Sequence, residues 1–401
     1  MAEEVWMLQT KKADFKQIGA RFRIDPVTAR IIRNRGIEGE AAIDRYLNGT
    51  LDDLYDPMLL KDMERAVSIL CEAVDTGKKI RIVGDYDIDG VCSTYILLQA
   101  FERLGSDVDF EIPDRIKDGY GINESIIEQA HADGVEVILT CDNGISAFHQ
   151  VELAKKYGMT VVITDHHEVP LDGEKEKIPP ADAVIDPKQA DCPYPFPEIC
   201  GAVVAYKLVQ VLYARRGVPQ MEWLDLLEFA AIATVGDVMK LQDENRILVK
   251  YGLKKMAQTK NLGLRRLAEK NNLDLGAITA YHIGFVIGPC LNAGGRLKTA
   301  KEALALLRAQ SEEEAERLAE ELKELNDTRK DMTEQGTEAA KLQVESWYQK
   351  DKVLVVFLPE CHESLAGIIA GRLREYYQKP AIVLTRGEEA VKEPEYCIYI
   401  R

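Results

Sequence analysis

The chain has 401 residues, which is enough for two or three domains that each bury a core. Its 46% hydrophobic and 29% charged residues are ordinary proportions for a globular protein. The net charge of −16 argues against a protein that binds nucleic acid over its whole surface, although a local basic surface beside bound cations is compatible with it.

The first predicted region, residues 1–78, is helical. Asp25 followed by Pro26 is typical of a capped helix with proline in its first turn, and residues 59–74 carry apolar side chains at helical spacing. The start of the chain, Met1–Glu4, lacks the basic and apolar parts of a signal peptide. No apolar stretch approaches the length that spans a bilayer. We therefore expect a cytoplasmic protein that makes no contact with a membrane.

Short β-branched runs alternate with amphipathic segments between residues 79 and 187. This alternation predicts βαβ units and an α/β fold, in which a parallel sheet carries helices on both faces. The predicted strands are Ile80–Val83, Val108–Ile112, Val135–Leu139, Val161–Ile163 and Ala183–Ile185. The predicted helices between them are Val91–Leu104, Ile122–Ala132 and Ile145–Tyr157. Ligands bind such sheets at the C-terminal ends of the strands.

The remaining chain is predicted to be mainly helical up to residue 347 and then to begin a second α/β unit. Ser311 is followed by acidic residues that suit a helix start, and few helix breakers occur up to Ser346, so we expect one long helix or a broken pair. A strand, a helix and a strand are predicted at residues 353–358, 364–377 and 381–384. We therefore divide the chain into a helical region (1–78), a domain of sheet and helices (79–310, with the sheet in 79–187 and helices in 201–310), a connecting helix (311–347) and a partial second domain (348–401).

Asp85, Asp87 and Asp89 occupy alternate positions directly after the first predicted strand. Burying three unpaired carboxylates would cost several kcal/mol each, so we expect a divalent cation among them. An EF-hand is excluded, because Ile96 stands where its loop needs Glu and because a strand precedes the motif. A nucleophile loop like that of haloacid dehalogenases fits Asp87–Val91 locally and stays open. For Asp89 alone, we favour a cap of the following helix.

Further polar residues are placed at the same edge of the predicted sheet. Asp142 follows the third strand, and His166 and His167 follow the fourth. Neighbouring residues on a strand point to opposite faces, so the two histidines can serve one site only where the strand has ended. Asp142 alone also fits an ordinary turn, and Asp237 alone fits the end of an apolar helix. Together these carboxylates and imidazoles predict a manganese-type site and a metal-dependent phosphoesterase.

Two residue types that often bind metals show no further pattern. The eight cysteines are scattered and none forms a C-x-x-C pair, which argues against a disulfide framework and against a structural zinc site. His131, His149 and His282 have no partners in any pattern, so we expect them to be structural or exposed.

A cluster of small residues precedes Arg296. The sequence Asn-Ala-Gly-Gly-Arg at residues 292–296 predicts a loop whose backbone can approach a phosphate closely. The guanidinium group at its end could pair with that phosphate through two hydrogen bonds. A plain turn between two helices is equally compatible with this pattern.

Together, the motifs resemble those of a known family. Four of them, in this order, resemble the motifs of the DHH phosphoesterase superfamily: Gly84–Gly90, Asp142–Gly144, Asp165–His167 and Gly236–Val238. Three more resemble its RecJ branch: Pro113–Arg115, Asn292–Arg296 and Cys361–Ala370. The resemblance covers nearly the whole chain and implies a 5′-to-3′ exonuclease of DNA repair and recombination that releases 5′-mononucleotides. It also implies single-stranded DNA as partner, with a single-strand-binding protein or a helicase as further partners.

The resemblance also implies roles for individual residues. Two Mn²⁺ or Mg²⁺ ions would be held by Asp85, Asp87, Asp142, His166 and Asp237, with Asp142 bridging the ions. His167 would lie beside the scissile phosphate, as a ligand or as a donor to the transition state. The DNA would be bound by Arg115, Asn292, Arg296 and His362, with Arg296 near the 5′ end. We therefore expect His167, Asp142 and Arg296 to be catalytic residues.

Two departures from the family pattern are visible. Cys290 stands where many relatives have an arginine, which predicts that one phosphate contact is missing. After Val391 the chain runs into Glu393–Arg401 instead of the Gly-rich elements of the family, so we expect a chain truncated within a DHHA1-like second domain. Two other functions therefore stay open: hydrolysis of short oligonucleotides or cyclic dinucleotides, and an inactive binding module.

Overall fold

The computed structural model describes residues 6–9 and 11–386 and the backbone of residues 396–400. The expectations drawn from Met1–Glu4 and from the side chains after Val391 lie outside the described residues. The helices are α1 (Phe15–Phe22), α2 (Pro26–Asn34), α3 (Glu40–Asn48), α4 (Met63–Thr76), α5 (Ile88–Arg103), α6 (Glu124–Ala132), α7 (Phe148–Lys156), α8 (Gly201–Arg216), α9 (Gln220–Leu224), α10 (Leu227–Gly236), α11 (Asp243–Met256), α12 (Leu262–Lys270), α13 (Ala280–His282), α14 (Gly288–Leu297), α15 (Lys301–Arg308), α16 (Glu312–Gln343) and α17 (Glu363–Tyr377), with π-helical turns at Ile283–Ile287 and Val344–Tyr348. The strands are β1 (Ile80–Val83), β2 (Val108–Glu111), β3 (Val137–Cys141), β4 (Thr160–Thr164), β5 (Leu171–Asp172), β6 (Lys175–Glu176), β7 (Ala183–Ile185), β8 (Leu354–Phe357), β9 (Ala381–Arg386) and β10 (Tyr396–Ile400). Among the described helices, none is long and apolar enough to cross a membrane.

The N-terminal helices confirm the predicted helical start of the chain. The Asp25 carboxylate accepts hydrogen bonds from the backbone N–H groups of Val27 and Thr28, at 2.9 and 3.0 Å, and thereby caps α2. Pro26 is the first residue of that helix, as predicted. Helices α1 to α3 enclose a small apolar core of their own, formed by Ile32, Ile37 and Ile43.

Five parallel strands form the central sheet, in the order β2-β1-β3-β4-β7. Strand β1 pairs with β2 on one side and with β3 on the other, since Ile80 lies opposite Val108 of β2 and Val137 of β3. Every predicted strand is present, and its ends agree with the prediction to within two residues. The predicted α/β class with a parallel sheet is therefore confirmed.

Side chains of the sheet alternate between two apolar cores. Ile82 packs into a core with α4, α5 and α8, whereas its neighbour Val83 packs into a second core with α6 and α7. On β3, Leu139 belongs to the first core and Ile138 to the second. This alternation covers both faces of the sheet with helices and leaves the carboxyl ends of its strands as the open edge.

A single helix connects the sheet domain to the second α/β unit. The Ser311 hydroxyl accepts a hydrogen bond from the Glu314 N–H at 3.1 Å and caps α16, which runs unbroken to Gln343. Beyond it, β8 and β9 pair in parallel and β10 pairs antiparallel with β9. Helix α17 packs on β8 and β9 through Ile369 and Leu373. The predicted strand–helix–strand order is confirmed, and the long helix is one element.

Residues 292–296 are part of α14, so the prediction of a loop was wrong. A Cβ atom on Gly295 would lie 2.3 Å from the backbone oxygen of Tyr86, and one on Gly294 would lie 2.8 Å from that of Thr299. These glycines therefore permit close packing of a helix and do not form a turn. Tertiary packing overrides the low helix propensity of the segment.

Replacing Gly295 with alanine is expected to lower the free energy of unfolding by roughly 1–3 kcal/mol, as overpacking of a core does. The added methyl group must push α14 away from the backbone of Tyr86. Urea unfolding measures this loss. Gly371→Ala is the matched control, because Gly371 lies within α17 and a Cβ atom there meets nothing within 4 Å. Equal unfolding free energies for the two variants would contradict the packing argument.

Candidate metal centre and adjoining basic cavity

Carboxylates and imidazoles meet at the carboxyl ends of the central strands. Asp85 and Asp87 follow β1, Asp142 follows β3, and His166 follows β4. Asp237 stands at the C-terminal end of α10. The His166 Nε2 atom lies 3.1 Å from Asp142 Oδ1 and 3.9 Å from Asp237 Oδ2. The structure thus brings all five predicted ligands to one edge of the sheet.

The possible ligand atoms fall into three overlapping groups, each with its atoms within 4.8 Å of one another. The groups are Asp85, Asp87 and Asp142; Asp89, His166 and Asp237; and Asp142, His166 and His167. Asp142 and His166 each belong to two of them. Such overlap is compatible with two cations that share one carboxylate, the arrangement used in two-metal phosphoryl chemistry.

Without bound cations, burial makes the ionised form of these carboxylates unfavourable. Burial, together with the charge of Asp87, raises the pKa of Asp85 to about 7. Burial and the charge of Asp89 raise the pKa of Asp237 to about 7, and burial raises that of Asp142 well above its usual value. His166 Nδ1 is buried and has no hydrogen-bond partner within the described part of the chain, and the buried Asp142 Oδ1 atom has only the ion-pair contact with His166 Nε2, which lacks hydrogen-bond geometry. Hard oxygen atoms and an imidazole in this state fit Mn²⁺ or Mg²⁺.

Asp89 does not cap the helix that contains it, so that prediction was wrong. Helix α5 begins earlier than expected, and the Asp87 carboxylate caps it by accepting hydrogen bonds from the N–H groups of Asp89 and Gly90, at 2.9 and 3.1 Å. The buried Asp89 carboxylate instead accepts 2.7 Å hydrogen bonds from the N–H groups of Gly201 and Ala202, at the start of α8. Asp89 therefore fixes a second helix at the edge of the cluster, with one oxygen 3.4 Å from His166 Nε2.

The turn that carries Asp142 is held in a fixed shape. Asp142 itself has a left-handed backbone, with φ of 62°. The Asn143 amide donates a hydrogen bond to the Val83 carbonyl at 3.0 Å and accepts one from the Ile122 N–H at 3.2 Å, which ties the turn to β1. A Cβ atom on Gly201 would lie 2.7 Å from Asp142 Cβ, so α8 can approach only with glycine at its start. The surroundings thus determine a conformation that an aspartate rarely adopts.

His167 forms a hydrogen-bonded pair with Asp165. Its Nδ1 atom lies 2.7 Å from Asp165 Oδ1, and the other Asp165 oxygen accepts a hydrogen bond from the Ile145 N–H at 2.9 Å. Burial favours the neutral imidazole, but the bond and charge of Asp165 outweigh it and raise the pKa of His167 to about 9. The Tyr120 hydroxyl lies 3.1 Å from the ring and donates a hydrogen bond to the Asp142 carbonyl at 2.8 Å. His167 is thus a half-exposed cation beside the cluster at neutral pH.

A basic cavity of about 350 Å³ adjoins the acidic cluster. Its lining includes the cations Arg115, Lys117, Arg296 and Lys298, together with His362 and one carboxylate, Asp114. Burial lowers the pKa of Arg296 to about 10, and the neighbouring cations Arg115 and Arg329 add to this effect. Such a cavity suits an anion with several oxygen atoms, such as a phosphate.

The substrate residues predicted from sequence are only partly brought together. Arg115, Arg296 and His362 line the basic cavity, whereas Asn292 is not among the described residues that line it and is half-buried on α14, about one turn before Arg296. The His362 ring caps α17 by accepting a hydrogen bond from the Ser364 N–H at 3.3 Å. Arg296 donates a 2.9 Å hydrogen bond to the Ser364 carbonyl, which anchors its guanidinium group.

Sequence reasoning missed several residues around the site. Asp165 lay within a recognised motif but received no role, although its position before the two histidines was a usable signal. Tyr120 reaches the cluster from the loop after β2, and Lys117 and Lys298 reach the cavity from surface loops. No periodicity marks these three residues, because only the folded chain places them there.

Comparisons with known proteins agree on one family. Residues 79–234 match the family described as DHH family, N-terminal domain. Over 385 residues the chain is 36% identical to the single-stranded-DNA-specific exonuclease RecJ of Bacillus subtilis (strain 168), covering 96% of this chain and 48% of that protein.

Two solved structures have the same architecture. A crystal structure of RecJ in complex with Mn²⁺ from Thermus thermophilus matches with a TM-score of 0.78 and 30% identity, covering 92% of this chain and 52% of that one. A crystal structure of exonuclease RecJ bound to manganese matches with a TM-score of 0.73 and 33% identity, covering 81% of this chain and 80% of that one. The chain thus spans about half the length of the B. subtilis and T. thermophilus proteins.

Proposed function

The chain belongs to the RecJ branch of the DHH family, and on this premise we propose that it is a metal-dependent exonuclease that degrades single-stranded DNA from the 5′ end and releases 5′-mononucleotides. The observation that carries this proposal is the direct junction of the acidic cluster with the basic cavity. Tyr86 makes the junction, because it lies between Asp85 and Asp87 and its ring centroid lies 4.2 Å from the Arg115 guanidinium carbon. A single DNA strand that crosses Tyr86 would place its 5′-phosphate in the basic cavity and its next phosphate at the acidic cluster.

We propose that two Mn²⁺ or Mg²⁺ ions bind the cluster. Asp85, Asp87 and Asp142 would hold one ion, and Asp142, His166 and Asp237 would hold the other. When bound, the ions supply an activated water and offset the charge that develops on the phosphate. Asp142 belongs to one group with Asp85 and Asp87 and to another with His166, and His166 belongs to a further group with Asp237, which supports this assignment.

His167 would act on the reacting phosphate as a hydrogen-bond and proton donor. Its raised pKa keeps it protonated at neutral pH, and its Nδ1 atom bonds to Asp165, so Nε2, which lies 3.3 Å from the Tyr120 hydroxyl, is the nitrogen that would turn to the substrate. Tyr120 restrains the ring edge-on, with the two ring centroids 5.5 Å apart. Asp165 and Tyr120 are therefore positioning residues, and His167 is the catalytic residue of the three.

We propose the cytoplasm as the cellular setting and DNA repair and recombination as the process, with boundaries between structural regions near residues 78, 310 and 347. Single-stranded DNA is the proposed partner, which the names of the relatives support. A single-strand-binding protein or a helicase would be a further partner. Co-purification from nuclease-treated extract tests that last point, and recovery of neither protein would contradict it.

Arg296→Ala is expected to remove the preference for a 5′-phosphorylated strand over one with a 5′-hydroxyl end. Loss of charge-assisted hydrogen bonds to the terminal phosphate should raise KM for the phosphorylated strand by roughly 10- to 100-fold. Steady-state kinetics on the two strands measure both effects. Arg317→Ala is the control, because it removes the same charge from an exposed part of α16. A variant that keeps the preference would contradict the phosphate assignment.

A further inference from the structure

An exposed aromatic pair lies at the start of the helical segment that ends near Arg296. Tyr281 and Phe285 are 64% and 67% exposed. Their ring centroids are 4.8 Å apart and their planes differ by 29°, so the rings are stacked on each other. Single exposed apolar residues are common on proteins, but two rings already stacked on each other leave an outer ring face on which a further ring can stack.

The segment from Tyr281 to Arg296 runs along the acidic loop between β1 and α5. A Cβ atom on Gly288 would lie 3.2 Å from Ile88 Cδ1, and one on Gly295 would lie 2.3 Å from the Tyr86 oxygen. The Arg296 end of the segment therefore lies at the basic cavity. The Tyr281 end lies beyond Ile88, on the other side of the loop. Eleven residue steps separate Phe285 from Arg296, which is roughly 16 Å along a helix.

The aromatic end also adjoins the Asp237 side of the acidic cluster. Gly284 lies between the two aromatic residues in sequence, and a Cβ atom there would be 3.6 Å from Val235 Cγ1. Val235 precedes Asp237 by two residues at the end of α10. Next to Asp237, Val238 is a further apolar side chain that is 86% exposed. The backbone between the two aromatic residues thus packs against the end of α10, two residues before Asp237.

We propose that Tyr281 and Phe285 form a stacking platform for the bases on the 3′ side of the scissile phosphate. This inference rests on the proposed function, because it takes the 5′-phosphate to lie in the basic cavity and the scissile phosphate to lie at the acidic cluster. The rest of the strand must then leave at the other end of the segment, where the two rings lie. Aromatic rings stack on every base, so the platform holds a strand of any sequence.

The charge of the protein also favours stacking as the means of holding the outgoing strand. A net charge of −16 repels a polyanion wherever no local cations compensate it. Stacking on a ring does not depend on salt in the way that phosphate contacts do. The platform therefore supplies affinity on the side of the metal centre away from the basic cavity.

The test compares the double variant Tyr281→Ala/Phe285→Ala with the native protein on a long single strand and on a dinucleotide, in Mn²⁺. We expect KM for the long strand to rise about 10-fold, as the loss of base stacking predicts, and the rise for the dinucleotide to be much smaller. The dependence of log KM on log salt should keep its slope, whereas Arg296→Ala should make that slope shallower by about one. Replacing both residues with tryptophan should restore KM.

Trp347→Ala is the matched control, because Trp347 is 73% exposed and lies in the π-helical turn after α16. Its KM should equal that of the native protein. An unchanged KM of the double variant on the long strand, in a protein that releases mononucleotides, would overturn the platform and leave the exonuclease standing. If the native protein releases no mononucleotides, binding of a single strand that contains 2-aminopurine is measured instead, because stacking on a ring quenches the fluorescence of that base. Equal quenching by native protein and double variant would then overturn the platform, and weaker quenching by the variant would support it.

Discussion

Asp142→Ala is expected to abolish Mn²⁺-dependent release of nucleotides, with a loss of roughly 10³-fold or more in kcat/KM. The reason is that Asp142 belongs to ligand groups on both sides of the cluster, so its removal should affect both proposed ions. Ions that activate a water and offset charge contribute several kcal/mol to the transition state, and each 1.36 kcal/mol is about tenfold in rate. Turnover of a single strand measures the loss, and Mn²⁺ titration should show fewer than two bound ions. Unchanged turnover would contradict the assignment of Asp142.

The control for this variant is the stability of the metal-free protein. Burial raises the pKa of Asp85 and Asp237 from the usual 3.8 to about 7, so the folded chain binds protons more tightly than the unfolded chain does. The metal-free protein should therefore lose stability as the pH rises from about 4 through about 7. The activity test is therefore repeated with Asp142→Asn, which should lose nucleotide release as Asp142→Ala does. This variant removes one of the repelling charges and should raise the melting temperature of the metal-free protein above pH 7. A lower melting temperature would mean that lost activity reflects misfolding.

His167→Gln is expected to lower kcat by roughly 10²- to 10⁴-fold, the usual contribution of a positioned proton donor, while two Mn²⁺ ions still bind. The pKa of His167 is about 9 in the absence of metal, and bound cations should lower it. The rate of the native protein should therefore decrease with rising pH, at or below pH 9, because His167 loses its proton. The rate of the variant should not show this decrease. His149→Gln is the control, since that ring is exposed on α7. Loss of bound Mn²⁺ in His167→Gln would instead make His167 a ligand.

The sheet and the position of the acidic cluster could be predicted from the sequence for a physical reason. Strands buried on both faces read as short β-branched runs, and the polar residues directly after them must meet at one edge. Asp85, Asp142 and His166 each directly follow such a run or lie one or two residues beyond it, and the structure brings them together. Local pattern and long-range geometry agree at these positions.

The errors occur where tertiary contacts decide. Asp89 was taken as a local cap, but its partners are the N–H groups of Gly201 and Ala202, more than a hundred residues away in the chain. The glycines before Arg296 suggested a loop, but they allow a helix to touch the backbone of Tyr86. Tyr120 gave no periodic signal, because only packing places it beside the cluster, and the exposed pair Tyr281 and Phe285 gave none either.

The most direct test of the central claim follows the label of a 5′-labelled single strand during digestion. In Mn²⁺, we predict that the label appears at once as a 5′-mononucleotide, and that a chelator abolishes its release. The same label on a duplex without single-stranded ends should stay on the uncut duplex. Absence of release in Mn²⁺, or shortening of the strand from the 3′ end while the label remains on the long product, would contradict a metal-dependent exonuclease that begins at the 5′ end.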